Sequence, residues 1–197
     1  MEKGKKYLFG NLGFKKSKSG TDIYDATLKQ LFIYELRNIY WVEKYLTGRL
    51  PDAAKTAYTK ELKEIFERHF KITQIQTIRL VGVFNELTQK PVTTRCKTIE
   101  LIARQGKTVI RKTKGRTAAR DAGLILTWRK IEHYEIAAYG ELAKLASSIR
   151  LNNISELLYM TLEEEMDEDA DLMDIAENGV YSPFTAFHES HPADRPF

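Results

Sequence analysis

Residues 128–146 read WRKIEHYEIAAYGELAKLA. At about 100° per residue, a helical period places Leu124, Trp128, Ile131, Tyr139, Leu142 and Ala146 on one stripe. Glu132 and Glu135 fall inside that stripe, one turn apart. A buried unpaired charge costs on the order of several kcal/mol or shifts its pKa. Two carboxylates on an apolar helix face therefore need a metal ion or a buried hydrogen-bond network. The choice depends on what the other helices bring to the same core.

The same period extends this helix from about Thr117 to Ser147, with Asp121 opening the inner stripe. Gly123 is unfavourable in a helix unless a neighbour packs closely against it. His133 falls opposite Trp128 and is not expected to be a ligand. A following helix from about Asn153 to Glu177 carries Leu158, Thr161, Leu162, Met166, Leu172, Met173 and Ala176 on one stripe. Within its acidic run, Glu163 and Glu164 project outward. Glu165 and Asp169 fall inward at i, i+4, and Glu168 lies at the margin. Gly179 suits the end of this helix.

Upstream, a helix is predicted from about Tyr24 to Leu50, with Thr21 or Asp22 as N-cap and Pro51 after it. Its apolar face is Leu28, Leu31, Phe32, Leu36, Ile39, Val42, Leu46 and Leu50. Glu35 and Glu43 lie on or beside that face, and Arg37 and Lys44 point away. A second helix is predicted from about Asp52 to Leu87, with a break near Thr59. Leu62, Phe66, Phe70, Thr73, Thr77, Leu80, Phe84 and Leu87 form its stripe, and His69 and Gln76 sit at the edge. A lone histidine on such a face is usually structural. The acids on the other helices make His69 a candidate ligand.

The residues from 88 to 119 form a long connection, broken from the preceding helix at Pro91. A short amphipathic helix is expected from about Cys96 to Lys112. Arg104 to Arg120 carries seven basic residues and no acid. This stretch reads either as a solvated rim or as a patch for an anionic partner. Nucleic acid is not expected, because the aromatic interleaving of single-strand binding and any DNA-reading motif are missing.

The bulk composition agrees with one all-α unit. The chain has 197 residues, 43% hydrophobic and 29% charged, with five prolines and a net charge of +4. Cys96 is the one cysteine, so no intrachain disulfide forms. No apolar run reaches membrane-spanning length. Residues 1–20 hold six lysines, one glutamate and four glycines, and read as a basic flexible arm. Their basic start has no apolar continuation, so a secretory signal is not expected and a cytoplasmic location is the default. Residues 21–179 are expected to form the bundle and residues 180–197 an extended tail. Phe9 and Phe14 of the arm, and Phe184 and Phe187 of the tail, are candidates for docking. His188 and His191 lie outside the bundle and are not expected to bind metal.

Four long amphipathic helices thus each bring polar groups inward. The links between the first and second and between the third and fourth are short, and the middle link is long. This is the ferritin-like four-helix bundle, with a long crossover that contains a short helix. Glu43, His69, Glu132, Glu135, Glu165 and Asp169 are the candidate metal ligands. Hard carboxylate oxygens with an imidazole suit iron or manganese. The other reading is a metal-free bundle whose inner carboxyls are protonated or hydrogen-bonded to His69, Thr73, Gln76 and Tyr139.

The segments LFIYELRNIYWVEKYL, CKTIELI, RDAGLI, IEHYEIAAYGEL and TLEEEMDEDADL resemble the YciE/YciF-type family of stress-associated proteins. The likeness runs from about Leu28 to Ala176 and is most specific from Glu132 to Tyr139. It implies a ferritin-like helical domain, a homodimer, a link to stress responses and a di-metal carboxylate site. Oxygen or peroxide handling is the activity such a site would serve. Family members tend to carry a pair of acids directly after the position of His69, and the resemblance implies one of them as a ligand. Here that stretch reads FKIT, with Lys71 and Ile72, so the expected ligand set is one carboxylate short.

Overall fold

In the computed structural model of the chain, residues 20–181 are described except 114 and 116, with side chains from Ala26 onward. Residues 1–19 of the expected basic arm, residues 182–197 of the expected extended tail and the docking expected of their phenylalanines lie outside the described residues. So do the side chains of Thr21 and Asp22, the expected N-caps. The elements are α1 (Gly20–Thr47), α2 (Leu50–Thr56), α3 (Lys60–Glu86), α4 (Lys97–Lys112), α5 (Ala118–Ser148) and α6 (Asn152–Ile175). A π-helical turn, Ala176–Val180, follows α6. No strand occurs among the described residues.

The first helix begins at Gly20, earlier than the sequence expectation, and ends at Thr47 rather than near Leu50. Leu50 instead opens α2, with Pro51 in the first turn, where its missing N–H costs nothing. The expected break near Thr59 separates α2 from α3. There Asp121 of α5 accepts hydrogen bonds from Tyr58 N at 2.6 Å, Thr59 N at 2.8 Å and Thr59 Oγ1 at 2.7 Å. One buried carboxylate thus satisfies the donors left at the break, where α3 begins with Thr59 as its N-cap.

The long helices α1, α3, α5 and α6 surround one core. Pairing of Arg68 with Asp171 and of Arg79 with Glu164 sets α3 and α6 antiparallel. The α5–α6 turn and the end of α3 close in the same way. Arg150 (φ 61°) and Thr88 (φ 53°) take left-handed conformations. Leu151 N then reaches Ala146 O, and Gln89 N reaches Phe84 O, capping the last carbonyls. Helix α4 lies against α5. A Cβ on Gly106 would meet Thr127 Cγ2 at 2.4 Å, and one on Gly123 would meet Val109 Cγ1 at 2.4 Å. The glycines are what allow these two helices to approach.

The expected stripes hold for α3 and α5 and, from Phe32 onward, for α1, where Leu36, Ile39, Phe66, Leu80, Trp128 and Tyr139 are buried; Leu31, expected on the same face of α1, is exposed. Full burial of such side chains stabilises by about 1.5–3 kcal/mol each. Two expectations for α6 fail. Met166 and Met173 are exposed, because the inward face is turned toward Glu168 and Leu172.

Candidate metal centre

The core layer at mid-bundle is polar. Glu43 comes from α1, His69, Thr73 and Gln76 from α3, Glu132, Glu135 and Tyr139 from α5, and Thr161, Glu165 and Glu168 from α6. All are buried. The i, i+3 and i, i+4 spacing stacks these groups on one face of each helix at successive turns, and all four of those faces look into the same stretch of core.

Two groups of ligating atoms result: His69, Glu132 and Glu165, and Glu43, Glu135 and Glu165. Within each group the atoms lie within 4.8 Å of one another. Glu165 belongs to both. His69 Nδ1 is 3.6 Å from Glu132 Oε1 and 3.9 Å from Glu168 Oε2. Of the six residues expected from the sequence, the structure brings five together. Asp169 is not among them. It lies at the rim, where Arg129 binds it in two-pronged fashion at 2.8 and 3.0 Å and His133 Nε2 approaches at 3.1 Å. Its place facing the core is taken by Glu168, one residue earlier. The expected pairing of i with i+4 on α6 is in fact i with i+3.

The surroundings hold these groups in place. Tyr139 donates to Glu43 Oε1. Gln76 Nε2 donates to Glu165 Oε1 at 2.7 Å. Arg79 bridges Thr161 at 2.6 Å and Glu164 at 2.7 Å, covering one side of the layer. Glu164, expected to point outward, is half-buried in that bridge. The rings of Phe66 and His69 contact Trp128, with centroids 5.3 and 6.0 Å away. Lys71 is exposed and brings no cation to the core, and Ile72 is half-buried and offers no ligand. Glu35 is also half-buried, outside both groups.

Whether a cation fits can be judged from the atoms left over. Glu43 Oε2, His69 Nδ1, both oxygens of Glu132, both of Glu135, Glu165 Oε2 and Glu168 Oε2 are buried with no backbone, hydroxyl or amide partner, and the Glu132 and Glu165 carboxyls meet each other, as a pair that can share a proton. Such atoms cost about 1–3 kcal/mol each when left bare, more when charged. Burial, and after it the neighbouring carboxylates, push Glu43, Glu132 and Glu135 well above the usual carboxylate range. Burial pushes Glu165 up to about 8 and Glu168 up to about 7. Burial, with Arg68 nearby, lowers His69 to about 4, so its imidazole is neutral at pH 7 and free to ligate. Asp169 is the exception. Burial pushes it up, but Arg129 and His133 outweigh that and hold it low. The donor set fits a pair of hard or borderline divalent cations that would offset the crowded negative charge.

Comparison with known proteins agrees with this architecture. Residues 27–183 match the family described as a domain of unknown function, DUF892. The chain is 36% identical over 155 residues to YciF of Escherichia coli strain K12, covering 78% of this chain and 93% of that protein. It superposes on the crystal structure of the E. coli stress protein YciF with a TM-score of 0.74 at 35% identity, covering 79% of this chain and 98% of the other. A second solved structure, YcfI from Rhodopseudomonas palustris, gives a TM-score of 0.71 at 30% identity over 74% of this chain and 92% of the other. Sequence, fold and core pattern together place the chain in the DUF892 family, among the YciE/YciF-type ferritin-like stress proteins.

Proposed function

We propose that the protein holds two iron or manganese ions in its core, side by side along the bundle, and handles dioxygen or peroxide there. One observation carries this reading: buried carboxylate and imidazole atoms without backbone, hydroxyl or amide partners fall into two groups that share Glu165. Glu43 and Glu135 would hold one ion, His69 and Glu132 the other, with Glu165 between them. Glu168 would supply the carboxylate that Ile72 does not, since its free oxygen faces His69. Ions of this kind contribute redox and Lewis-acid chemistry when bound.

The chain's own residues shape that site. Tyr139 holds Glu43 by its hydroxyl proton, and Gln76 fixes Oε1 of Glu165, leaving Oε2 available to a cation were one bound. Phe66 and Trp128 keep water from the His69 side. Arg68 reaches Glu168 Oε1 at 3.4 Å and Asp171, closing the α3–α6 edge. The test is metal content by mass spectrometry after loading with iron or manganese. About two ions per chain are expected, as in two-metal sites generally, with both lost in Glu165→Ala. Metal no higher than in that variant would overturn the reading.

A second reading is a metal-free bundle in which the carboxyls stay protonated. The hydrogen bonds from Tyr139 to Glu43 and from Gln76 to Glu165 favour it, since they stabilise the layer without any ion. The same measurement separates the two. A homodimer forms part of either reading. Exposed Leu31 and Tyr34 on α1 offer apolar surface for it, and light scattering at increasing concentration gives the oligomeric state.

A further inference from the structure

A cleft of about 620 Å³ lies between the α1–α2 corner, α4 and α5. Its floor is Leu46, Leu124, Trp128 and Ile131, all buried in the core. Its rim is cationic: Arg49, Lys55, Arg104, Lys107 and Arg111, with Asp52 the one acid among the lining residues. None of these five cations forms an ion pair among the described residues. Elsewhere on the surface Lys60, Lys63, Arg95 and Lys144 each meet a nearby carboxylate. Arg104, Lys107 and Arg111 recur at i, i+3 and i+7 along α4, so they line up on one edge of the cleft. The basic stretch of the crossover therefore converges on an apolar hollow instead of facing open water.

We propose that this cleft binds an anionic amphiphile, a long-chain fatty acid. The alkyl chain would lie on the floor of Leu46, Leu124, Trp128 and Ile131, with the carboxylate at the Arg104, Lys107 and Arg111 edge. The volume falls within the range of small-molecule pockets, about 300–1,000 Å³. A rim of one sign around low-dielectric walls concentrates the field and draws an anion inward. An apolar floor gives nothing to a bare phosphate or sulfate, so the occupant must carry both a charge and a hydrocarbon part. Guanidinium groups at the rim suit a carboxylate by paired N–H donors. The proposal is independent of metal in the core, because none of the candidate ligands lines the cleft.

Trp128 on the floor provides the readout. The chain has two tryptophans, so Trp41→Phe leaves Trp128 as the one indole reporter. Palmitate, kept below its aggregation concentration, is titrated into this full-length variant. The expected result is a saturable change in Trp128 emission. The affinity should weaken at least tenfold when Arg104→Glu, Lys107→Glu and Arg111→Glu are combined. These positions are exposed, and circular dichroism confirms that the fold is retained. The neutral alcohol of the same length should bind at least tenfold more weakly than palmitate. No saturable change, or equal affinity in the charge-reversed variant, would overturn the proposal. Binding to phosphatidylglycerol vesicles with none to monomeric palmitate would also overturn it, assigning the rim to a membrane surface.

Discussion

Two buried carboxylate sites in this protein behave in opposite ways. Asp121 is fully buried, and it accepts three hydrogen bonds from Tyr58 and Thr59 at the α2–α3 break. Glu132 and Glu135, about three and four turns further along the same helix, are equally buried, yet no backbone, hydroxyl or amide group donates to their four oxygens. One carboxylate completes the backbone, whereas the others await something from outside the chain. A carboxylate whose two oxygens both accept hydrogen bonds holds a fold together. A cluster with bare oxygens is a site that the fold tolerates at a cost, and such a cost points to a ligand.

The comparison can be broken most forcefully at Asp121. Asp121→Ala leaves two backbone N–H groups and a hydroxyl without an acceptor. A loss of about 3–5 kcal/mol is expected, lowering the melting temperature by roughly 10 °C. Thermal unfolding by calorimetry measures it. A change under about 1 kcal/mol would mean that water replaces the carboxylate. The opposite outcome is expected in the core. In metal-free protein, Glu135→Met should raise stability by about 1–3 kcal/mol, since a well-packed apolar side chain replaces a bare buried acid. The same variant should lose the metal held with Glu43. Destabilisation of the metal-free form would place Glu135 in the structural class with Asp121.

The dependence on pH sharpens the same contrast. Glu165 and Glu168 titrate near 8 and 7 in the folded chain, above the unfolded value of about 4.3. The folded metal-free protein therefore holds more protons than the unfolded one across that interval. The stability this contributes is fully present below about pH 4.3 and is lost as pH rises toward 8. His69, lowered to about 4, acts in the other direction only below its unfolded value of about 6.5. Between about pH 6.5 and 8 the melting temperature of the metal-free protein should fall. With saturating manganese it should not, because bound cations stabilise the ionised carboxylates. Parallel melting curves with and without metal would remove the argument.

A smaller effect is expected at Glu168. Glu168→Gln should weaken the His69-side ion by roughly tenfold or more and leave the Glu43-side ion in place. Isothermal titration would then resolve two affinities where the parent protein gives nearly one. Smallest of all, Arg150→Gly should stabilise by about 1 kcal/mol, because glycine takes the left-handed conformation without the penalty an arginine incurs. Chemical denaturation reads that difference.

The sequence pattern carried most of the fold because helical period is a local property. The long helices, the break near Thr59 and the inward placement of Glu43, Glu132, Glu135 and Glu165 all follow from spacing along a single helix. What period alone could not supply was the rotation of α6. Asp169 and Glu168 lie on either side of the ideal inward direction. The choice is made by Arg129 and His133 on α5, which draw Asp169 to the rim. Met166 turns outward by the same rotation. The acceptor role of Asp121 was hidden for a similar reason, since its donors lie some 60 residues away in the chain. Lys71, in the stretch where the resemblance implies a pair of acids, is exposed on α3. The cationic cleft likewise needed three separate segments to meet.

The most direct test of the core reading is anomalous diffraction from crystals grown with manganese. The account predicts two peaks about 3.5–4 Å apart, one on each side of the Glu165 carboxylate. Glu43 and Glu135 should flank one peak, and His69, Glu132 and Glu168 the other. Manganese absent from the core, or present only at the rim beside Asp169, would contradict it.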